Sequence, residues 1–227
     1  MIKNKKPQSR TLEKMKEVLK EPGGELSRII YDVYRNVATA DNLRYDLTFL
    51  YPGKIKDELP KTYGHYHKNS MMEIMEVVSG KSLWLIQKYE NDPKIIKEAY
   101  LIEAKKGEKA IFPTNFGAIS INPREEEKTV LSNWVSLKTE SDYLPYKQFH
   151  GACYYILKNE SGEIIFEKNP NYTNVPELIK LKPKEIPELE ITFSKPLYEF
   201  SAGQLEFLNN PKKYKNILTI ENCYTKI

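Results

Sequence analysis

Cysteine is scarce: Cys153 and Cys223 are the only two in 227 residues. They are far apart and show no metal or redox spacing, so two free thiols in a reducing compartment are expected rather than a disulfide framework. Long apolar runs are missing too. No stretch approaches the ~18 consecutive apolar residues that span a bilayer. The basic start Met1-Ile2-Lys3-Asn4-Lys5-Lys6-Pro7 has no apolar segment behind it, so no secretory signal is expected. Strong charge of either sign is absent. The formal net charge is +4, and Lys and Glu are interleaved, which leaves no nucleic-acid footprint. No glycine-rich phosphate loop precedes a helix and no βαβ alternation appears, which excludes Rossmann and P-loop sites. No repeat of solenoid period is found.

What is present suits a globular chain with its own core: 40% hydrophobic and 29% charged residues. The sequence predicts a tail over residues 1–9 and a helix over 11–20, where Leu12, Met15, Val18 and Leu19 recur at helical spacing before Pro22-Gly23-Gly24. Short β-rich segments follow, at 28–37, 44–50, 62–67, 73–78, 82–88, 97–102, 108–112, 118–122 and 129–135. Bounded by turn residues and spaced by roughly 8–14 residues, they read as a sandwich or small barrel. Beyond residue 150, a hairpin is expected around Ser161-Gly162. A proline-rich stretch (Pro170, Pro176, Pro183, Pro187, Pro196) should wrap the barrel as an extended arm, outside any central sheet. Ser201-Ala202-Gly203-Gln204 has capping-box form and predicts a short helix to Asn210. The division is then 1–27 (N-terminal tail and helix), 28–150 (barrel) and 151–227 (C-terminal hairpin, proline-rich arm and short helix).

Two of only three histidines stand together in His65-Tyr66-His67, with Glu73 six residues on and Gly80 after it. On a strand, residues i and i+2 share a face, and a turn through Lys68-Asn69-Ser70 brings Glu73 back beside them. Two imidazoles and one carboxylate form a three-ligand site with open positions, suited to iron, manganese, nickel or zinc. A bare His-x-His also occurs on exposed strands; the glutamate, the glycines and a second motif turn the reading toward a site.

His65-x-His67-x5-Glu73-x6-Gly80 resembles the first motif of the cupins, with a turn one or two residues longer than usual. Gly107, Pro113, Ala118 and Asn122 fall in the places of the second cupin motif, with Asn115 where its inner glycine belongs. More specifically, Tyr51-Pro52-Gly53-Lys54-Ile55 leads into Lys61-Thr62-Tyr63-Gly64-His65-Tyr66-His67, and Tyr31-Asp32-Val33-Tyr34 lies upstream. Together with Trp84-Leu85-Ile86-Gln87 and Asn133-Trp134-Val135-Ser136 to Tyr143, this is similar to the cupin-type glucose-6-phosphate isomerases over residues 28–145.

The resemblance implies a mainly β fold: a cupin double-stranded β-helix, or jelly-roll barrel, with an N-terminal helix and a C-terminal extension. It implies an isomerase interconverting glucose 6-phosphate and fructose 6-phosphate, with one divalent metal ion. His65, His67 and Glu73 would be metal ligands and Glu73 also the catalytic base. Thr48, Thr62 and Gly64 would hold substrate, with Tyr31 and Tyr143 near its phosphate or sugar end. The implied partner is a small sugar phosphate, not nucleic acid or membrane, in a cytoplasmic homodimer whose N-terminal segment is a candidate for exchange between copies. Three departures stand out: Ala118 where the second motif has its histidine, Met75 where some members have tyrosine, and Ser141 where a histidine is frequent. They keep open a second reading, a non-catalytic sugar-phosphate-binding cupin. From the residues alone, Thr62 equally fits a filler role, Gly64 a structural one, and Tyr31 and Tyr143 a core or rim role. Lys54 and Lys61 read as solvated by default, Trp84 as packing, and His150 as part of a surface connection.

Overall fold

Among the described residues (residue 2 and residues 5–227 of a computed structural model), fifteen strands carry the fold. They are β1 Gln8–Thr11, β2 Ile29–Ala40, β3 Leu43–Leu50, β4 Tyr66–His67, β5 Glu73–Ser79, β6 Lys81–Tyr89, β7 Ile96–Lys105, β8 Lys109–Phe112, β9 Gly117–Ile121, β10 Thr129–Ser136, β11 Ser141–Asp142, β12 Tyr154–Lys158, β13 Ile164–Lys168, β14 Ile179–Pro183 and β15 Tyr224–Lys226. One sheet has the order β1-β2-β3-β10-β5-β8, and it faces a second with the order β15-β14-β7-β6-β9. The chain crosses repeatedly between the two, as a jelly roll requires. Pairings are antiparallel except β14 with β7.

Alternation along each strand decides what faces the interior. From the first sheet, Glu73, Met75, Phe112 and Asn133 turn inward; from the second, Ala118 and Ser120 do. Trp84 closes the barrel against Phe112, edge-on at 5.9 Å between ring centroids. The second sheet is covered on its back as well. Leu83, Leu85, Leu101, Ile119 and Ile121 pack there with Leu12, Met15 and Tyr146. That double burial explains why Leu83-Trp84-Leu85-Ile86 reads as an unbroken apolar run.

The predicted N-terminal helix is α1 Leu12–Met15, continued as a 3-10 turn to Val18, and it buries Leu12, Met15 and Val18. Gln8 and Ser9 correct the expected tail: they belong to β1, which pairs with β2 of its own chain, and the Ser9 hydroxyl donates to Asp32 at 2.5 Å. Met1, Lys3 and Asn4 lie outside the described residues. The proline-rich stretch is also corrected. Residues 179–182 contain no proline and form β14, one strand in from the edge of the second sheet, with Pro183 at its end. The hairpin of β12 and β13 forms as predicted. Ser201 and Gln204 make the two capping-box bonds, the Gln204 amide donating to the Ser201 hydroxyl at 3.3 Å and the Ser201 amide to Gln204 Oε1 at 3.1 Å, but they close a turn: the expected helix is shorter, Glu206–Asn209, with Leu205 at its N-cap and no side-chain cap. No helix among the described residues is long and apolar enough to cross a membrane.

Candidate metal centre and its cleft

Segment 62–67 is less regular than predicted. Only Tyr66–His67 is a strand, paired with β11; Lys61 and His65 make isolated bridges to Ile121 and Ala118. Gly64 is the cause. Its φ of +87° breaks the ladder, and a Cβ there would lie 2.5 Å from Ile119 and 2.6 Å from the Tyr146 ring. Only glycine fits both the left-handed backbone and the space. The kink leaves the two imidazoles side by side, ring centroids 5.1 Å apart.

Glu73, the first residue of β5, meets them from the neighbouring sheet. The donor atoms of His65, His67 and Glu73 all lie within 4.8 Å of one another, with His67 Nε2 3.8 Å from Glu73 Oε2. The long turn between His67 and Glu73 has a use. Met71 offers its carbonyl to His67 Nδ1 at 3.1 Å. A carbonyl only accepts, so Nδ1 carries the proton and the Nε2 lone pair is left for a metal, an orientation typical of metal-binding histidines. Glu73 has no hydrogen-bonding partner among the described residues, and its side chain is 12% exposed. Burial, then the charges of His67, Arg35 and Arg44, holds the His65 imidazole well below its usual range. Burial does the same for His67, and the Met71 carbonyl partly opposes it. Burial raises the Glu73 carboxyl to about 7, although Arg35 pulls it down. Two neutral imidazoles and one unbonded carboxylate are a donor set that fits a divalent first-row ion.

The cleft beside this cluster opens to solvent, and it spans about 550 Å³ of space free of protein atoms with the solvent at its mouth included. Tyr31, Thr48, Thr62, Gly64 and Tyr143, all expected at the site, line it together with His65 and Glu73. They arrive from separate elements: Tyr31 from β2, Thr48 from β3, Thr62 and Gly64 from the segment before β4, and Tyr143 after β11. The Tyr31 hydroxyl receives the Tyr63 amide at 3.3 Å, and the Tyr143 ring sits 5.4 Å from that of His65. His67 stands between this cleft and a second groove lined by Tyr66, Lys88 and Asp142. The Thr62 hydroxyl receives the Ser120 amide at 2.9 Å, which ties it to β9 as well as to the cleft.

The three departures all face the centre. Ala118 lies opposite His65 in its bridge and lines the cleft, as does Met75; Ser141 pairs with His67. His150 is exposed and is not among the cleft residues, as expected of a surface connection. Trp84 is fully buried packing. Lys61 is not solvated as read by default: it is buried and ion-paired with Glu58. Arg35, Asn133 and Ser120 line the cleft and escaped the sequence reading. For Arg35 a signal existed, since Tyr31, Val33 and Arg35 alternate along one strand face.

The family described as Glucose-6-phosphate isomerase (GPI) matches residues 13–174. A curated relative, the glucose-6-phosphate isomerase of Thermococcus litoralis, is 28% identical over 183 residues, which is 76% of this chain and 90% of the relative. Among solved structures, an oxalate oxidase overlaps with a TM-score of 0.41 at 17% identity, over 53% of this chain and 58% of that one. A variant of Bacillus subtilis oxalate decarboxylase overlaps with a TM-score of 0.39 at 13% identity, over 60% of this chain and 29% of that one.

Proposed function

The chain belongs to the glucose-6-phosphate isomerase family, and we propose that its cleft interconverts glucose 6-phosphate and fructose 6-phosphate with one divalent metal ion held by His65, His67 and Glu73. The observation that carries the metal-dependent reading is the convergence of those three donors within 4.8 Å, two of which, His65 and Glu73, line a cleft that also presents Thr48, Thr62, Gly64, Tyr31 and Tyr143. When bound, the ion supplies Lewis-acid polarisation of the oxygens on the two reacting carbons.

The chain's own groups do the rest. Aldose–ketose exchange moves one proton from C2 to C1 and a second from the C2 hydroxyl to the C1 oxygen, and needs no outside oxidant. Glu73 takes the proton from C2 of the aldose and returns it to C1. Burial raises this carboxyl, which strengthens it as a base, while an ion held by the same group would draw its proton affinity down again. Thr48 and Thr62 offer hydroxyls to the sugar, and the absence of a side chain at Gly64 lets substrate approach the backbone. Tyr31, beside the Tyr63 amide, and Tyr143, beside the His65 ring, stand near the phosphate or sugar end of the substrate in this reading. We place this activity in cytoplasmic glycolysis and gluconeogenesis.

One observation favours a second reading: Ala118 faces His65 where a fourth ligand would stand. A binding protein without turnover would follow if three donors do not suffice. The test is a coupled assay of fructose 6-phosphate conversion on chelator-stripped protein, with iron(II), manganese, nickel or zinc restored singly. Metal-restored turnover is the expected result. Folded protein that binds fructose 6-phosphate but turns over with no metal would overturn the isomerase reading.

A further inference from the structure

One amide in the cleft has neither a partner nor a role in the proposed reaction. Asn133, on β10, lines the cleft and is only 4% exposed. Its chain neighbours point to the outer face and are bonded there, the Ser132 hydroxyl to Glu76 Oε2 at 3.3 Å and Trp134 Nε1 to the Leu197 carbonyl at 3.0 Å. Alternation turns Asn133 inward. Its carboxamide makes no hydrogen bond among the described residues, although it carries two N–H donors and an oxygen with two lone pairs. A buried amide without partners costs stability, and that cost is tolerated where a ligand answers it.

Asn133 is paired with Asp46 of β3 on one side and with Met75 of β5 on the other, and neither takes up its amide. Asp46 Oδ1 accepts the Asn36 amide at 2.8 Å, where β2 is irregular between Tyr34 and Ala38. Asp46 Oδ2 accepts Arg35 Nη1 at 2.6 Å and Arg44 Nε at 3.0 Å. Met75 brings a thioether, a weak acceptor, and the Ser120 hydroxyl points to its sulfur at 3.9 Å. With Glu73 ionised, the charges on this wall balance, Arg35 and Arg44 against Asp46 and Glu73. The wall therefore offers a ligand hydrogen bonds rather than surplus charge, which suits a neutral hydroxyl.

The register also says which part of a sugar comes there. Glu73 pairs with Val135, two residues after Asn133, and Thr48 pairs with Leu131, two residues before it. Two residues of strand span about 7 Å, so Asn133 stands one step from the donor cluster and one step from Thr48. We infer that Asn133 hydrogen-bonds the hydroxyls on the middle carbons, C3 and C4, of the sugar phosphate, and so decides which epimer the cleft accepts. The inference rests on the substrate class proposed above: with C1 and C2 at His65, His67 and Glu73, the next two carbons come level with Asn133. A site that bonds a substrate hydroxyl rejects a ligand that misplaces it, because its own buried groups then stay unpaired.

The test is titration calorimetry of metal-loaded wild type, Asn133→Leu and Asn133→Ala. The ligands are fructose 6-phosphate, its C3 epimer psicose 6-phosphate and its C4 epimer tagatose 6-phosphate. Wild type should bind fructose 6-phosphate at least about tenfold more tightly than either epimer. Asn133→Leu keeps the branched shape and removes every donor and acceptor. It should raise the fructose 6-phosphate Kd by about 5- to 100-fold, as expected when a buried hydroxyl loses its partner. It should bring the three Kd values close together and leave the metal Kd unchanged. If the Leu variant does not fold, Asn133→Ala decides by the same ratios. Equal binding of the three ligands by wild type, an unchanged fructose 6-phosphate Kd or epimer ratio in the variant, or a metal Kd that weakens in step would overturn the assignment. No fructose 6-phosphate binding to metal-loaded wild type would overturn it together with the isomerase reading. Binding that depends on Asn133, without turnover in the coupled assay, would overturn the isomerase reading alone.

Discussion

Strand β5 carries two glutamates, three residues apart and on opposite faces of the same sheet, Glu76 buried and Glu73 nearly so. Glu76, on the outer face, is fully engaged. Lys109 Nζ lies 3.2 Å from its Oε1, and its Oε2 accepts the Leu197 amide at 2.9 Å and the Ser132 hydroxyl at 3.3 Å. Glu73, on the inner face, has no such bond, and His67 Nε2 at 3.8 Å is its near neighbour. A buried carboxylate with every oxygen answered is a fastener: here it pins the C-terminal segment to the barrel. A buried carboxylate with nothing answering it costs stability, and that cost is tolerated where a ligand or a proton will answer it. The contrast, more than burial itself, separates framework from chemistry.

Opposite outcomes at the two positions are the sharpest check. Glu73→Gln should cut kcat/KM by about 10²–10⁴-fold, the usual worth of a positioned base, and weaken metal binding in a direct titration. The fold should survive and even gain. The Glu73 carboxyl is raised from 4.5 to about 7 when folded, so the folded metal-free protein holds its proton longer than the unfolded chain. Its contribution is fully present below pH 4.5 and lost as pH rises through about 7, on the order of 3 kcal/mol. Denaturant melts of metal-free wild type and Glu73→Gln should therefore agree near pH 4 and diverge by pH 8, with the variant the more stable. Glu76→Ala should do the reverse. It strands the Lys109 ammonium, which is inaccessible to solvent and already pulled below its usual range by burial, at a cost of about 3–5 kcal/mol. Turnover per folded molecule should stay at the wild-type level. Two variants alike in their effects would end the distinction between the two carboxylates.

Sequence exposed the inner glutamate and hid the outer one. His65, His67 and Glu73 lie within nine residues and carry their spacing openly, and the strands announce themselves through alternation between turn residues. Glu76 meets Leu197 across 121 positions, a pairing no local pattern encodes. Asp46 meets Arg35 only because of the irregularity near Asn36, and Lys61 finds Glu58 through a turn rather than a helix face. β14 joins a sheet through parallel pairing with a strand far earlier in the chain. Gly64 lay between these cases: a glycine before the motif was legible, its necessity was not. Gly64→Ala should destabilise by about 2–4 kcal/mol, combining left-handed strain with overpacking against Ile119 and Tyr146. A melting temperature within a degree of wild type would remove the structural role and leave only substrate access.

The smallest expected effect concerns the position beside the unpaired carboxylate. Ala118 exchanges backbone hydrogen bonds with His65, its amide donating to the His65 carbonyl at 3.1 Å, and it faces the cleft. Its inward neighbours on the second sheet, Ile86 and Ser120, leave a methyl group where a larger side chain would reach toward Glu73. Ala118→His places a third imidazole across from the other two. A fourth donor should tighten metal binding by about tenfold or more. It also competes for space that the sugar would use, so KM for fructose 6-phosphate should rise modestly while kcat holds. The argument turns on which limits the wild type. If metal occupancy does, Ala118→His raises activity at low metal concentration and the gain vanishes at saturation. If the three-donor arrangement is itself what the cleft needs, activity falls at every concentration. Metal titrations of activity separate the two, and an unchanged metal Kd would show that residue 118 does not face the centre.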